Sequence, residues 1–448
     1  MKDLIQEAAR RAARYLRGLG KRSVSPPAEA VERLTGFDVP LQEESIASMQ
    51  VLAELDELGS AATVASAGPR YFGFVIGGTL PAALAANVLA GAWDQNAGLK
   101  AASPTAAFLE EVCRRWLVAL FELPPGAGVG FVSGATMANF SALAAARHAL
   151  LGRLGWDVEA RGLFGAPPLT VAVGAEVHVS VLKALSLLGL GRERVIRIPA
   201  DGQGRMRPEA IPRLTEPAII CIQAGNVNTG AFDPAADICE VATASDSWVH
   251  VDGAFGLWAA ACPDRDFLAA GIPEAHSWAT DAHKWLNVPY DSGIVLVADP
   301  HLLQASMSAS AAYLIAGDTR EPSHYTPELS RRARAVEIWA ALRSLGRSGL
   351  AGLIERNCRY ARRFAEGLKS AGYDVLNEVM LNQVLVSFGS AERTRDVVRR
   401  VQEDGTCWCG GTEWQGHAAM RISVSSWATT EEDVEASLRA IIRLASER

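Results

Sequence analysis

A lysine that directly follows a histidine stands between two apolar, strand-like runs. The segment from Ser277 to Trp285 contains His283 and Lys284, and a second apolar run begins at Gly293. Because a lysine amine with a lowered pKa can form an imine with a carbonyl compound, Lys284 is a candidate nucleophile. The pair alone leaves open a lysine that only extends its amine from a strand end into solvent.

A carboxylate ends the preceding strand-like run. The run from Trp248 to Val251 is followed by Asp252, and Ala254 lies two residues further on. In an open α/β sheet the carboxyl ends of the strands form the crevice that binds ligands. A buried anion there keeps a pyridine nitrogen protonated, and an alanine leaves room for a flat ring. Asp252 and Lys284 together indicate pyridoxal phosphate, although a helix cap would also explain an aspartate here.

Two further segments contain groups that could contact such a cofactor. Small and hydroxyl-bearing residues from Ser133 to Thr136 lead into an alanine-rich helix, and the N–H groups at a helix start bind phosphate. His178 follows the strand-like run that ends at Val173, so its imidazole could stack on the ring and touch the carboxylate of the substrate. Ordinary helix capping and a core histidine are the alternative explanations.

The elements around these residues predict an α/β fold. Short β-rich runs alternate with helical stretches from about residue 66 to 310, which predicts a large domain with a mostly parallel, doubly wound sheet. Residues 1–65 show helical periodicity and are interpreted as an N-terminal dimerisation arm. Residues 311–448 are interpreted as a loop followed by a small α+β domain.

Composition argues against several classes of protein. The 448 residues include 43 basic and 50 acidic side chains, so nothing favours nucleic acid or an anionic membrane as a partner. The first residues form a charged amphipathic helix rather than a signal peptide, and we expect a cytoplasmic protein. The seven cysteines lack the spacing of a zinc site, so we expect no metal.

In order and spacing, these segments resemble the group II pyridoxal-phosphate-dependent amino acid decarboxylases, the family of the aromatic amino acid, histidine and glutamate enzymes, in a bacterial-type form. The resemblance covers roughly residues 60–440. It is carried by Pro69–Phe74, Ala101–Pro104, Ser133–Thr136, Val177–His178, Gly225–Phe232, His250–Ala254, Asp281–Trp285, Ala312–Leu314 and Leu329–Arg332. The resemblance implies fold type I with a mostly parallel seven-stranded sheet, pyridoxal 5'-phosphate as cofactor, and a homodimer with shared active sites.

The resemblance also implies roles for individual residues. Lys284 would form the imine, Asp252 would contact the pyridine nitrogen, Ala254 would lie under the ring and His178 above it. The phosphate would lie near Ala135, Thr136 and His283. The family usually has a threonine in the segment that begins at Gly225, and Asn228 is our candidate there. Candidates for substrate binding are Phe74, Asn96 and Arg421, of which Arg421 matches the position of an arginine near the substrate carboxylate in many fold type I relatives.

The outcome of the reaction depends on a tyrosine. The family uses a tyrosine at the position of Tyr313 to protonate Cα after carbon dioxide leaves, whereas relatives with phenylalanine there tend to form aldehydes. Tyr313 therefore indicates an amine product, and Tyr325 is the alternative proton donor.

We therefore expect decarboxylation of an L-amino acid, a small-molecule substrate that the sequence does not name. Other reactions of the same cofactor, those of an aminotransferase, an aldolase-type lyase or an aldehyde synthase, are the second hypothesis. A scaffold protein without turnover is the third.

Overall fold

The computed structural model describes residues 1–308 and 320–447. The chain forms two compact units. One consists of Met1–Gly78, Arg362–Leu376 and Val384–Arg448, and the other of Thr79–Ala361 and Asn377–Gln383. Our division into an arm, a large domain and a small domain stays a prediction.

Eleven strands lie in the described part of the chain and form two sheets. Their bounds are β1 Gly128–Val132, β2 Thr170–Gly174, β3 Ile196–Ile198, β4 Ala218–Gln223, β5 Trp248–Asp252, β6 Ser277–Asp281, β7 Gly293–Val297, β8 Asp374–Val375, β9 Gln383–Ser387, β10 Gly410–Trp414 and β11 His417–Ser423. Thirteen α-helices lie in the same ranges. They are α1 Lys2–Gly18, α2 Ala28–Glu32, α3 Ser48–Glu54, α4 Pro81–Trp93, α5 Pro104–Leu120, α6 Ala135–Arg153, α7 Val158–Arg161, α8 Val179–Leu187, α9 Ala235–Ala244, α10 Pro300–Met307, α11 Ala335–Ser370, α12 Ala391–Asp404 and α13 Glu431–Ser446.

The larger sheet has seven strands in the order β1-β7-β6-β5-β4-β2-β3. Strands β2 to β6 pair in parallel, whereas β7 runs antiparallel to both β1 and β6. Every residue of β1, β4, β5, β6 and β7 is buried, as expected for a sheet covered on both faces. The predicted α/β fold with a mostly parallel seven-stranded sheet is confirmed.

Helix α6 packs closely on this sheet because small side chains cover its inner face. Ala138, Ala142 and Ala145 are fully buried in the core beside β-strand residues. At the start of the helix, the backbone of Gly134 lies against Gly293 of β7, and a Cβ at Gly293 would come within 2.4 Å of the Gly134 Cα. Glycine at residue 293 therefore allows α6 to begin directly beside the sheet.

The smaller sheet has four strands in the order β10-β11-β9-β8. Helices α12 and α13 each bury one apolar face in the unit that contains most of this sheet. A capping box formed by Thr430 and Asp433 begins α13. Within residues 1–308 and 320–447, every helix is too short or too polar to span a bilayer.

Candidate active site

The start of α6 lies beside the carboxylate of Asp281. The N–H of Ala135 donates a hydrogen bond to Oδ1 of Asp281 at 2.6 Å. The first N–H groups of a helix have no acceptor within the helix, so a negative group at this place is stabilised. A Cβ at Gly134 would lie 3.3 Å from that oxygen and from Cε1 of His283, so the glycine leaves space at the helix start. Thr136, the second residue of the helix, is half-buried.

Lys284 follows β6 and contacts the same carboxylate. Its Nζ atom lies 3.0 Å from Oδ2 of Asp281, and 20% of its side chain is exposed. The proton on the neighbouring His283 can be assigned, because Nδ1 accepts a hydrogen bond from the N–H of Ser292 at 3.1 Å. Burial lowers the pKa of His283 below its ordinary value, so the neutral ring carries its proton on Nε2, 3.4 Å from Oδ1 of Asp281. Asp281 thus accepts a hydrogen bond from the helix start and lies in contact with the lysine amine and the histidine ring.

Asp252, at the end of β5, is a buried carboxylate with several donors. Its Oδ1 atom accepts from the N–H of Ala254 at 3.3 Å. Its Oδ2 atom accepts from Nδ2 of Asn139 at 3.3 Å and from Oγ of Ser180 at 3.5 Å. The carbonyl of the half-buried Ala254 accepts from the N–H of Asp281 at 2.9 Å, which ties the ends of β5 and β6 together.

His178 caps the N terminus of α8. Its Nδ1 atom accepts from the N–H of Ser180 at 3.2 Å and lies 2.8 Å from the hydroxyl of the same serine. Since Nδ1 is an acceptor, the neutral imidazole carries its proton on Nε2. Ser180 links His178 to Asp252, so both predicted residues belong to one hydrogen-bonded group.

The turn after β4 offers two asparagines. The N–H of Asn228 donates to Oδ1 of Asn226 at 2.9 Å, and Asn228 is buried. In the described part of the chain, Nδ2 of Asn226 is buried without a hydrogen-bond partner. An orphaned amide nitrogen is costly in a protein interior, so Asn226 is a second candidate beside Asn228 for contact with a ligand.

The predicted substrate-binding residues are divided between the two units. Phe74 and Arg421 belong to the unit that contains most of the smaller sheet, where 57% of Phe74 is exposed and its ring packs 5.4 Å from that of Trp408. Arg421 lies on β11, and burial lowers the pKa of its guanidinium.

Asn96 lies in the same unit as Lys284, and its hydrogen bonds hold two loops together. Its Oδ1 atom accepts from the N–H groups of Gly98 at 3.1 Å and Arg331 at 3.2 Å, and its Nδ2 donates to Ser330. These hydrogen bonds brace the two loops, and a substrate contact of Asn96 stays a prediction.

Of the two candidate proton donors, Tyr313 lies outside the described residues. The hydroxyl of Tyr325 accepts from Nε2 of Gln304 at 2.6 Å. Its ring lies beside Gly128, the first residue of β1, whereas the predicted phosphate site follows the last residue of that strand. This position counts against Tyr325 as the donor.

The residues brought together fit pyridoxal phosphate. Helix α6 contacts both carboxylates, Asp281 through Ala135 and Asp252 through Asn139. The two contacts are one helical turn apart, about 6 Å along the axis. A helix start for a phosphate, a buried carboxylate for a ring nitrogen and a lysine amine therefore lie at the carboxyl ends of β1, β5 and β6.

Sequence reasoning assigned no role to three residues of this site, namely Asp281, Asn139 and Ser180. Each of the three had a local signal. Ser180 follows His178 by two residues, and Asn139 lies one helical turn after Ala135. The signal for Asp281 was its place at the end of the strand-like run before Lys284.

Comparisons with known proteins identify the family of this chain. The model of the pyridoxal-dependent decarboxylase conserved domain matches residues 32–389. The aromatic-L-amino-acid decarboxylase of Drosophila lebanonensis is 29% identical over 396 residues, which cover 82% of this chain and 95% of that protein. The L-2,4-diaminobutyrate decarboxylase of Rhizobium meliloti (strain 1021) is 32% identical over 326 residues, which cover 69% of this chain and 63% of that protein.

A solved structure shares the fold. The crystal structure of Oryza sativa TDC with PLP and tryptamine superposes with a TM-score of 0.92 at 21% identity, covering 99% of this chain and 97% of that chain. The predictions of fold type I, of the family and of the cofactor are confirmed. The chain belongs to the pyridoxal-dependent decarboxylase family and is a pyridoxal-phosphate-dependent carboxy-lyase that acts on an amino acid.

Proposed function

We propose that Lys284, Asp252 and His178 form the catalytic centre of this decarboxylase, and that Tyr313 completes the reaction. The observation that carries this proposal is that α6 contacts two carboxylates from one face. One is Asp281, which lies beside Lys284, and the other is the buried Asp252. The product would be the amine of an L-amino acid together with carbon dioxide.

Each residue has a task that follows from its chemistry. Pyridoxal phosphate, when bound, supplies an acceptor for the electron pair that a departing carboxylate leaves on Cα. Asp252 would hold a proton on the ring nitrogen, because a buried carboxylate that Asn139 and Ala254 keep in place stabilises a neighbouring cation. Lys284 supplies the amine that binds the cofactor.

The other groups bind and orient. Ala135, Thr136 and His283 would hold the phosphate at the start of α6, where N–H groups favour an anion. Ala254 would leave space beneath the ring, and Asn226 or Asn228 would contact the ligand from the turn after β4. His178, with its proton on Nε2, would steer the carboxylate of the substrate, and Phe74 and Arg421 stay candidates for its binding.

Tyr313 would deliver a proton to Cα after carbon dioxide has left. A phenol is a suitable general acid for a carbanion-like centre, since its ordinary pKa of about 10 keeps it protonated at neutral pH. Protonation of Cα yields an amine. If Cα is not protonated, oxidative reactions that form an aldehyde become possible.

We further propose a cytoplasmic homodimer. Exposed apolar side chains along the first 64 residues support an interface, and Leu41 is 91% exposed and Leu55 60%. Sedimentation equilibrium at micromolar concentration should give twice the chain mass of 47.7 kDa, and a monomer would contradict the proposal. Cell fractionation tests the location.

A substrate panel tests the reaction. Aromatic, acidic and diamino L-amino acids form the panel, because the relatives include aromatic, acidic and diaminobutyrate decarboxylases. Carbon dioxide and the amine are both measured, with Lys284→Ala as the inactive control. Equal yields of the two products support the proposal. Transfer of the amino group to a keto acid without carbon dioxide would overturn it.

A further inference from the structure

A chain of buried polar side chains leads from the interior of the sheet to Asp252. Nε1 of Trp248 donates to Oγ of Ser277 at 2.9 Å, and that hydroxyl lies 2.9 Å from Nδ1 of His250. Nε2 of His250 lies 2.9 Å from Oδ1 of Asn139, whose Nδ2 donates to Asp252. Ser277, His250 and Asn139 are completely buried, so every group in the chain relies on protein partners.

The donor and the acceptor of each hydrogen bond can be assigned from the groups at the two ends of this chain, Asp252 and Trp248. An ionised carboxylate only accepts, so Asn139 must turn its NH₂ group towards Asp252 and its oxygen towards His250. The proton of the imidazole then lies on Nε2. At the other end the indole of Trp248 only donates, so the hydroxyl of Ser277 is free to give its proton to Nδ1 of His250. The Ser277 end is compatible with the arrangement that the carboxylate requires.

The imidazole in the middle is neutral. Burial lowers the pKa of His250 to about 3, so it carries no charge at physiological pH. A neutral His250 has one donor and one acceptor, and the chain uses both. His250 therefore transmits an orientation to Asn139 and brings no positive charge near Asp252.

We propose that Asn139 is a positioning residue for Asp252, and that His250 holds the Asn139 amide in the orientation that donates to this carboxylate. The inference rests on the proposed role of Asp252 as partner of the cofactor ring. Asn139 donates to Ser180 at 3.2 Å as well, so one amide braces the carboxylate and the serine that contacts His178. Asn139 thereby links Asp252, the proposed partner of the cofactor ring, to His178 through Ser180.

Removal of the amide would weaken the site without removing a catalytic group. With leucine at residue 139, Oδ2 of Asp252 would lose its amide donor, and the Nε2–H of His250 would lose its acceptor. A hydrogen bond to a charged group contributes enough that its loss lowers affinity roughly tenfold or more. Asp252 would then hold the ring cation less well.

Titration of the cofactor-free protein with pyridoxal phosphate tests the inference. Absorbance gives the apparent dissociation constant, and thermal unfolding of the same samples gives the stability. The variants are Asn139→Leu, Asp252→Ala as the reference, and the pair His250→Gln and His250→Leu. Asn377→Leu is the matched control, since this buried amide donates to the carbonyls of Thr229 and Gln383, each at 2.9 Å, and makes no hydrogen bond to Asp252.

The expected pattern separates positioning from general stability. Asn139→Leu and Asp252→Ala should each raise the dissociation constant about tenfold or more, whereas Asn377→Leu should lower only the stability. His250→Gln keeps a donor for Asn139 and should stay within about threefold of the parent. His250→Leu removes the donor and should weaken binding by more than that.

Three outcomes would overturn the inference. If Asp252→Ala weakens binding and Asn139→Leu does not, Asn139 is only structural. If neither variant weakens binding, the role of Asp252 fails as well, which identifies the proposed function as the source of the error. Should Asn139→Leu not fold, equal dissociation constants for His250→Gln and His250→Leu would contradict the positioning role.

Discussion

The Nζ atom of Lys284 lies 3.0 Å from Oδ2 of Asp281, while Oδ1 of the same carboxylate accepts from the N–H of Ala135. One side chain thus neutralises the lysine ammonium and caps α6 at the place where the phosphate of the cofactor is expected. Asp281 therefore links the amine of Lys284 to the start of α6.

Replacement of Lys284 by alanine should abolish the visible absorbance of the bound cofactor and reduce turnover by about three orders of magnitude or more, because the amine that binds it is removed. Absorbance spectra and amine release measure the two effects. The control is Lys183→Ala, which changes an exposed lysine on α8 and should leave both intact. An unchanged spectrum in Lys284→Ala would refute the assignment.

Asp281→Ala should lower the free energy of unfolding of the cofactor-free protein by about 2 kcal/mol, since a helix cap and the partner of the largely buried ammonium are lost together. Urea unfolding measures this loss. Asp299→Ala removes a cap alone, at the exposed start of α10, and should cost about 1 kcal/mol or less. Equal losses in the two variants would mean that the contact with Lys284 contributes nothing.

The pH dependence of stability should reveal His250. Its pKa is about 3 in the folded protein, below the ordinary 6.5, so the unfolded chain binds more protons and stability falls as the pH drops below 6.5. Between about pH 7.5 and 5.5 this imidazole should account for a loss of about 1.4 kcal/mol.

Urea unfolding at both pH values tests that loss, which should disappear in His250→Gln and persist in the exposed control His301→Gln. Burial raises the pKa of Asp233 to about 6, so the contribution of Asp233 to stability increases as the pH falls. This contribution is the same in the parent protein and in both variants, and it cancels when they are compared. An unchanged pH dependence in His250→Gln would contradict the prediction.

Gly293→Ala should weaken binding of the cofactor about tenfold or more, because the added Cβ would lie 2.4 Å from the Gly134 Cα and force the start of α6 away from the sheet. Titration with pyridoxal phosphate measures the effect. Gly152→Ala is the control, because Gly152 lies on α6 and a Cβ there would have no other atom within 4 Å. The affinity of this variant should stay at the parent value, and its stability should hold or rise slightly. Parent affinity in Gly293→Ala would show that close packing here is dispensable.

Replacement of Tyr313 and of Tyr325 by phenylalanine should have different effects on the products. Tyr313→Phe should reduce amine formation about a hundredfold and increase the share of aldehyde, because the proton for Cα is lost. Tyr325→Phe removes only the hydrogen bond from Gln304 and should change stability by about 1 kcal/mol with little effect on products. Mass spectrometry of the products decides, and the reverse pattern would identify Tyr325 as the donor.

Local sequence predicted much of the fold. The strand-like runs that end at Val173 and Asp252 correspond to β2 and β5 within one residue, and the helix predicted from Thr136 to Leu150 lies inside α6. These elements are continuous apolar runs or alanine-rich stretches, so their type follows from residues that are neighbours in the chain. The cofactor also followed from local signals, since Asp252 ends one buried strand and Lys284 follows another.

Long-range hydrogen bonds were beyond sequence reasoning. Asp281 meets Ala135 across 146 residues, and Asn139 meets Asp252 across 113 and His250 across 111. A sequence shows the type of each residue, while the partner depends on how closely α6 approaches the sheet. That approach is set by the small residues on its face and by Gly293, whose effects appear only when the layers pack.

The sequence by itself indicated the cofactor of this protein, because a lysine, an aspartate and a small-residue helix start that each follow a strand-like run together fit pyridoxal phosphate. Only the tertiary structure decided how those groups are held, with Asp281 between Lys284 and the start of α6, and Asn139 between His250 and Asp252. The physical reason is that hydrogen bonds need atoms about 3 Å apart, and such distances between remote residues exist only after the helix has packed on the sheet.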